Sequence, residues 1–464
     1  MGTEPEPADR CSRRGFLKLA GAAGLGAMAT PWLAGLRGQE ASRPNIVLIY
    51  VDDMGYGDLS CYNDDAWVKT PNLDKLAEGG VRFTQGYVTA PVCYPSRVGL
   101  MTGAYQERWG SYHNRPMIKP PEPQKLIPTA MKAAGYTTGM TGKWNGVKGQ
   151  AEEFFDEAQH VLGWTGQYWP VESGQNRKEL PNWGPNEEYE TDVLTDHACD
   201  FIAGHKDEPF FYYLAYNAPH TPLRAKKEHR DQVAHLHTEP ERVYAAMVLA
   251  IDEGVGKVMQ ALEENGLTED TVVVFVSDNG PARIGSPKGK AHYPNDWPSP
   301  QLGSTGPLRG RKKQLGEGGI RMPFIMRYPA AWEQGIADDF IVSTLDLYPT
   351  FCALAGVEPP EDTILDGINL VPHLEGKQQG QRKQNLYWAF GGRRPRCGVV
   401  RSGEWKLHVT HYKGGNIKSR ELFNLAEDIG ETENLLKQKP TKAAALLEDY
   451  KKWFAKMGPP NTDK

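Results

Sequence analysis

Disulfide staples, internal repeats and zinc-type metal pairs are all missing from this sequence, and each absence removes a class of protein. Six cysteines in 464 residues are too few for a disulfide framework. No Cys or His pair has zinc-finger spacing. His235 and His237 flank Leu236 in a polar stretch and read as solvated side chains. Cys199 and Cys352 sit among apolar neighbours and read as small hydrophobes of the core. No fixed period runs along the chain, which excludes solenoids and propellers. An excess of one charge is missing too. The 53 basic and 58 acidic residues leave a formal charge of -5, unlike the basic footprint of a general nucleic-acid binder. Beyond the first forty residues no apolar stretch approaches the ~18 residues of a membrane span. No nucleic-acid partner and no integral membrane protein are therefore expected.

The opening segment is different in kind. Ser12-Arg13-Arg14-Gly15-Phe16-Leu17-Lys18 precedes a weakly apolar stretch, Leu19 to Leu36, interrupted by glycines and Pro31. It resembles a twin-arginine (Tat) export signal, so residues 1–41 are expected to be a signal segment. The resemblance implies the Tat machinery as a partner and a periplasmic or extracellular location. Ala29 and Ala41 are both small-residue positions that could mark cleavage.

The rest of the chain alternates strand and helix patterns. Asn45 to Val51, Pro209 to Ala215 and Thr271 to Val276 are unbroken apolar runs, as in strands buried on both faces. Between them fall helix patterns: one opened by Thr70-Pro71 and stopped by Gly79-Gly80, then Leu126 to Ala134, Glu187 to Gly204, and Arg242 to Asn265. Residues 320–357 add a strand from Pro323 to Arg327 and a helix from Ser343 to Ala355. The alternation predicts an α/β fold with a large mixed, mainly parallel sheet flanked by helices over residues 44–365. From about residue 366 the pattern shifts to β-rich patches (Cys397 to Thr410, Glu421 to Leu425) and a closing helix from Ala443 to Met457. Residues 366–464 therefore read as a smaller α+β subdomain.

Ligands of open α/β sheets bind beyond the carboxyl ends of the strands, and three strand ends here carry polar groups. They are Asp52-Asp53, Asn217-Ala218-Pro219-His220 and Ser277-Asp278-Asn279-Gly280. Successive strand side chains point to opposite faces, so Asp52 and Asp53 can converge only if the chain leaves strand geometry there. Three converging carboxylates would repel without a cation. With Asn279 they make an all-oxygen set suited to Ca2+, less so to Mg2+, rather than to a soft metal.

Val92-Cys93-Tyr94-Pro95-Ser96-Arg97 continues to Leu100-Met101-Thr102-Gly103. Pro95 places Cys93 at the start of a helix, where the dipole favours an anionic nucleophile and an anionic substrate. Arg97 lies one turn on. On its own this is also how a buried cysteine before an ordinary helix reads.

The stretch resembles the C-x-P-x-R signature of type I sulfatases, in which the cysteine becomes formylglycine. Further ordered motifs are similar to the family: Gly135 to Trp144, the Ala218 to Pro222 run, Ser277 to Gly280, and Leu308 to Lys312 leading to Glu317 to Arg321. Glu404 to Leu407 and Glu421 to Leu425 resemble its terminal subdomain. The resemblance covers about residues 44–450 and implies an alkaline-phosphatase-like fold. It also implies a hydrolase of sulfate esters, with a formylglycine-generating enzyme acting on Cys93. Export, an aromatic loop at 163–189 and the basic residues Arg393, Arg394 and Arg396 together favour a sulfated glycan as substrate. The hydrated aldehyde would attack sulfur with one hydroxyl and regenerate by elimination through the other. Asp52, Asp53, Asp278, Asn279 and the modified Cys93 would hold Ca2+. Arg97 would steady the nucleophile, Lys143 and Lys312 would bind sulfate oxygens, and His220 would protonate the departing alcohol.

Two residues depart from the pattern. Tyr94 is bulkier than the small residue usual between Cys and Pro. Asn145 stands where the family commonly has the His that serves as base for elimination, and His113 is the first candidate to replace it. A loop carrying Trp164, Tyr168, Trp169 and Trp183 could stack on sugars or be pinned by its own aromatics. Arg393, Arg394 and Arg396 form a basic patch that could face a polyanion or simply be solvated. The competing readings are a phosphate or phosphonate ester hydrolase of the same superfamily and a non-catalytic glycan-binding relative.

Overall fold

The computed structural model describes residues 43–114, 117–163, 168–169, 183–184, 187–283, 302–392, 395–412 and 416–460. The signal segment, Trp164, the Trp183 side chain, Arg393 and Arg394 lie outside the described residues. The first half contains β1 (Asn45–Val51), α1 (Pro71–Glu78), β2 (Val81–Tyr87), α2 (Cys93–Thr102), α3 (Ile127–Ala133), β3 (Thr137–Lys143) and β4 (Glu157–Leu162). Then come β5 (Trp183–Gly184), α4 (Glu190–Gly204), β6 (Phe210–Ala215), β7 (Ala225–Lys226), α5 (Glu239–Glu264) and β8 (Thr271–Ser277). The main sheet ends with α6 (Glu317–Ile320), β9 (Arg321–Arg327) and β10 (Ile336–Ser343), followed by α7 (Leu347–Leu354) and α8 (Val371–Leu374). Last are β11 (Leu386–Phe390), β12 (Cys397–Ser402), β13 (Trp405–His411), β14 (Ile417–Asn424) and α9 (Pro440–Phe454).

Eight strands form the main sheet in the order β10-β2-β9-β8-β1-β6-β3-β4. Only β9 runs against its neighbours β2 and β8; the other pairings are parallel. β1 is central, between β8 and β6, and all seven of its residues are buried. That double burial is why it reads as an unbroken apolar run. Its side chains alternate between two cores. Ile46, Leu48 and Tyr50 join the layer of α2, α3 and α7, while Val47, Ile49 and Val51 join that of α1, α4 and α5.

The antiparallel sheet β11-β12-β13-β14 is separate. Val400, Leu407, Val409 and Leu422 pack there on Leu446, Tyr450 and Trp453 of α9. Leu386, Trp388, Phe390 and Val399 belong instead to the first core, so the smaller sheet shares an apolar interior with the larger one.

Several elements differ from expectation. The helix expected from Ser343 is the end of strand β10, followed by a 3-10 turn over Thr344–Asp346 and then α7; the Ser343 hydroxyl accepts from Leu345 N. The helix expected from Arg242 starts earlier because Thr238 and Glu241 form a reciprocal capping box. Strands β2, β3, β4 and β10 have no long apolar run to announce them. In β3 the reason is steric: a Cβ at Gly139 would lie 2.5 Å from the Phe201 ring. Because β1, β3, β6 and β8 are parallel, their carboxyl ends open on one edge.

Candidate active site

At that edge the chain does leave strand geometry, with Asp53 at φ 69°. Asp53 N donates to Asp278 Oδ1 at 3.1 Å, and Asp52 N donates to the Ala218 carbonyl at 3.1 Å. The ends of β1, β6 and β8 are thereby tied to one another. Cys93 is the first residue of α2. Its Sγ lies 3.3 Å from Asp52 Oδ1, 4.0 Å from Asp53 Oδ1 and 3.3 Å from Lys312 Nζ. Ligand atoms of Asp52, Asp53, Cys93 and His220 all fall within 4.8 Å of one another.

The chain's own cations balance these acids. Lys143 pairs with Asp52, Lys312 with Asp53 at 2.5 Å, and Arg97 with Asp278, its Nε and Nη2 at 3.1 and 3.0 Å from Oδ2. Asp278 thus meets Asp53 through a backbone N–H while its other oxygen faces Arg97. Asn279 Nδ2 donates to Asp53 Oδ1 at 2.7 Å. Asn279 Oδ1 and Asp53 Oδ2 are buried without a hydrogen bond, although His220 Nε2 stands 3.4 Å from the latter. Lys312 and His220 keep 9% and 15% of their side chains exposed, so the cluster reaches solvent on their side.

Charge fixes the protonation states. Burial alone would raise Asp52, but Lys143, His220, Arg97 and Lys312 outweigh it and hold this carboxyl well below the usual range. Asp278 is pushed up to about 7 by burial and by Asp52, against the pull of Arg97. Burial, Asp278 and Asp52 drive the Cys93 thiol well above its ordinary value. An unmodified Cys93 is therefore a neutral thiol and a poor nucleophile.

Support for Arg97 comes from residues that the sequence did not single out. Its Nη1 donates to Tyr213 Oη at 3.0 Å and to the Lys143 carbonyl at 3.4 Å, and its guanidinium lies 5.0 Å from the Tyr50 ring. The available signal was a lone tyrosine in each of two otherwise apolar strand faces. Tyr168 is fully buried, and its hydroxyl donates to the carbonyls of Asn217 (3.1 Å) and His220 (2.7 Å). Together with its stack on Tyr189, this makes Tyr168 a packing residue and no sugar platform. Arg396 is exposed, with only its backbone N–H tied down, donating to the Phe390 carbonyl at 2.9 Å. Asn145 is buried, with Oδ1 lacking a hydrogen bond. His113 stacks on Phe390 at 6.0 Å on the exposed side, and no hydrogen bond or ion pair joins it to Cys93.

The open, mainly parallel sheet with acids gathered at its carboxyl edge fits the alkaline phosphatase superfamily. The sulfatase family model matches residues 44–357 and the N-sulphoglucosamine sulphohydrolase C-terminal model matches residues 311–456; the chain belongs to the sulfatase family and is a sulfuric ester hydrolase. It is 31% identical to the N-acetylgalactosamine-6-sulfatase of Sus scrofa, over 85% of this chain and 75% of that one. It is 30% identical to the N-acetylgalactosamine-6-O-sulfatase of Bacteroides thetaiotaomicron, over 89% and 93%. The crystal structure of Ps i-CgsB in complex with k-i-k-neocarrahexaose matches with a TM-score of 0.77 at 31% identity, over 90% and 94% of the two chains.

Proposed function

We propose that this sulfatase removes sulfate from a sulfated carbohydrate, using a formylglycine made from Cys93 and a Ca2+ ion held by Asp52, Asp53, Asp278, Asn279 and the modified Cys93. The observation that carries the reading is Cys93 itself, buried at the start of α2 and touching Asp52 and Lys312. As a thiol it is neutral there; as an aldehyde hydrate it offers a hydroxyl for attack on sulfur.

The residues present fit a hard cation. Two buried oxygens, Asn279 Oδ1 and Asp53 Oδ2, lack hydrogen bonds among otherwise satisfied carboxylates, and the donor set is almost entirely oxygen. Such an ion would neutralise sulfate oxygens and favour the ionised hydroxyl. Arg97, fixed by Asp278 and Tyr213, steadies the residue at position 93. Lys143 and Lys312 bind sulfate oxygens and stabilise the charge that shifts during transfer. His220 Nδ1 lies 2.7 Å from the Thr221 carbonyl, which must accept. This directs Nε2 to the cluster, where the ring, when charged beside Asp53, gives its Nε2 proton to the departing alcohol oxygen and is left neutral.

Both relatives named above are N-acetylgalactosamine 6-sulfatases and the structural neighbour holds a carrageenan oligosaccharide; these support a sulfated sugar over a small aryl sulfate. Arg13-Arg14 supports Tat export to the periplasm or beyond, and the Cys93 to Arg97 run supports recognition by a formylglycine-generating enzyme. Among the described residues no helix is long and apolar enough to cross a membrane. A sulfate-release screen over N-acetylgalactosamine 6-sulfate and carrageenan oligosaccharides tests the reading. Release by wild type and its loss in Cys93→Ala are expected; phosphodiester cleavage by an intact thiol enzyme, without sulfate release, overturns it.

A further inference from the structure

The segment that carries Lys312 is held at both ends from the smaller sheet's side, where Arg309 pairs with Glu421 at 3.2 Å and Lys406 with Glu317 at 2.7 Å, and one residue, Glu431, touches both ends. Its carboxylate Oε2 accepts Glu317 N at 2.8 Å, and its backbone carbonyl accepts Arg309 Nη1 at 2.9 Å. These contacts fall on both sides of Lys312. Between them, Lys312 N donates to the Pro281 carbonyl at 3.1 Å, next to the Asp278-Asn279 turn, and Lys313 N to the Pro91 carbonyl at 2.8 Å, next to Cys93. The segment therefore touches both halves of the site through its backbone while Glu431 holds its two ends.

Glu431 is itself built in. It is 1% exposed, and Oε1 receives Lys406 Nζ at 3.0 Å and His408 Nε2 at 2.6 Å, both from β13. Lys406 also pairs with Glu317 Oε1 at 2.7 Å, and Glu317 Oε2 accepts the Tyr87 hydroxyl at 2.6 Å. Arg321 and Arg401 each stand 3.3 Å from that same oxygen. Glu431 has φ 52°, a left-handed conformation that a non-glycine residue holds only when its surroundings require it. The partners of its carboxylate and carbonyl are what require it here.

From these contacts we infer that Glu431 is a positioning residue for the sulfate site: it fixes the Arg309–Glu317 segment so that Lys312 reaches Asp53 and Cys93. The inference rests on the reading of Lys312 as a sulfate ligand. It makes the smaller sheet part of the catalytic apparatus.

A double-mutant cycle between Glu431→Ala and Lys312→Met in the Ca2+-loaded full chain tests this. Its readouts are the dissociation constant of inorganic sulfate and kcat/KM on N-acetylgalactosamine 6-sulfate. Lys312→Met is expected to weaken sulfate about tenfold or more, the worth of one charge-assisted contact. Glu431→Ala is expected to cost about a hundredfold in kcat/KM, as a misplacement near 1 Å does, yet to cost less than about twofold once Lys312 is gone. Should Glu431→Ala fail to fold, Arg309→Met, which frees the other end of the segment from the Glu431 carbonyl, carries the same cycle. Glu431→Gln keeps an acceptor for Glu317 N and the carbonyl for Arg309, so by itself it should retain most of the activity. Equal losses with and without Lys312 overturn the positioning role alone. Wild-type protein that binds no sulfate overturns the reading of Lys312, and the proposal with it.

Discussion

Replacing Arg97 by Met keeps the bulk of the side chain and removes the cation. Asp278 then loses the partner at 3.0 Å that faces its Oδ2, in a place where neither group is exposed beyond 2%. Breaking a buried pair from one side costs up to about 3–5 kcal/mol, and less as Asp278, already pushed up to about 7, takes up a proton. At about 2.1 cal/mol/K per residue, a unit of roughly 420 residues loses about 1 °C for each kcal/mol. Arg97→Met should therefore melt up to about 3–6 °C below wild type by scanning calorimetry of chelator-treated protein. Asp278→Asn retains an acceptor for Asp53 N but strands Arg97, and should cost a similar amount. The double variant carries neither charge, so its loss should fall short of the sum by about 2 kcal/mol or more. A single-variant shift below about 1 °C, or strictly additive losses, would refute the argument that this pair closes the site.

The other predictions concern the metal, the missing base and pH. Adding Ca2+ to chelated protein at a hundredfold excess over its dissociation constant should stabilise it by about 2.7 kcal/mol; Asn279→Ala should abolish the gain, and an undiminished gain would place the ion elsewhere. Asn145→His should raise kcat for sulfate release by tenfold or more, against the ~10²–10⁴ of a positioned base; unchanged turnover would show that elimination does not wait on that position. Asp252 accepts Leu73 N at 2.8 Å at the start of α1, and burial pushes its carboxyl up to about 6. The folded state therefore holds this proton more tightly than the unfolded one. Its contribution is fully present below about pH 4 and is lost as pH rises through 6, by up to ~3 kcal/mol at 1.36 per unit. Urea titrations at pH 4 and pH 7 should show Asp252→Asn less pH-dependent than wild type; equal slopes would contradict the shift.

How much of the molecule was legible in the sequence depended on where each residue finds its partners. β1, β6 and β8 announce themselves because both faces are buried, so no polar residue interrupts them. β3 does not, since glycine and threonine answer to Phe201 and Ala215 across space: a Cβ at Gly142 would lie 2.1 Å from the Ala215 carbonyl. β10 has an exposed edge half and resembles a loop until it pairs with β2. At the site, the acids, Cys93, Arg97 and the lysines stood in short motifs at strand ends and a helix start. The residues that hold them, Tyr50, Tyr213 and Glu431, are ordinary in their own segments. Glu431 meets Glu317 across a separation of 114 residues, and no local spacing carries that information. That converging carboxylates need cations was legible, but which cations was not, because Arg97, Lys143 and Lys312 arrive from three separate segments to balance them.

The central claim is that Cys93 becomes the nucleophile of a sulfate-ester hydrolase. One measurement meets it directly: mass spectrometry of the Cys93 peptide, with sulfate release assayed on N-acetylgalactosamine 6-sulfate and carrageenan oligosaccharides in the same preparation. Formylglycine at position 93, with sulfate release that tracks the modified fraction and vanishes in Cys93→Ala, is the predicted result. Sulfate release from protein whose Cys93 is wholly an unmodified thiol would contradict it.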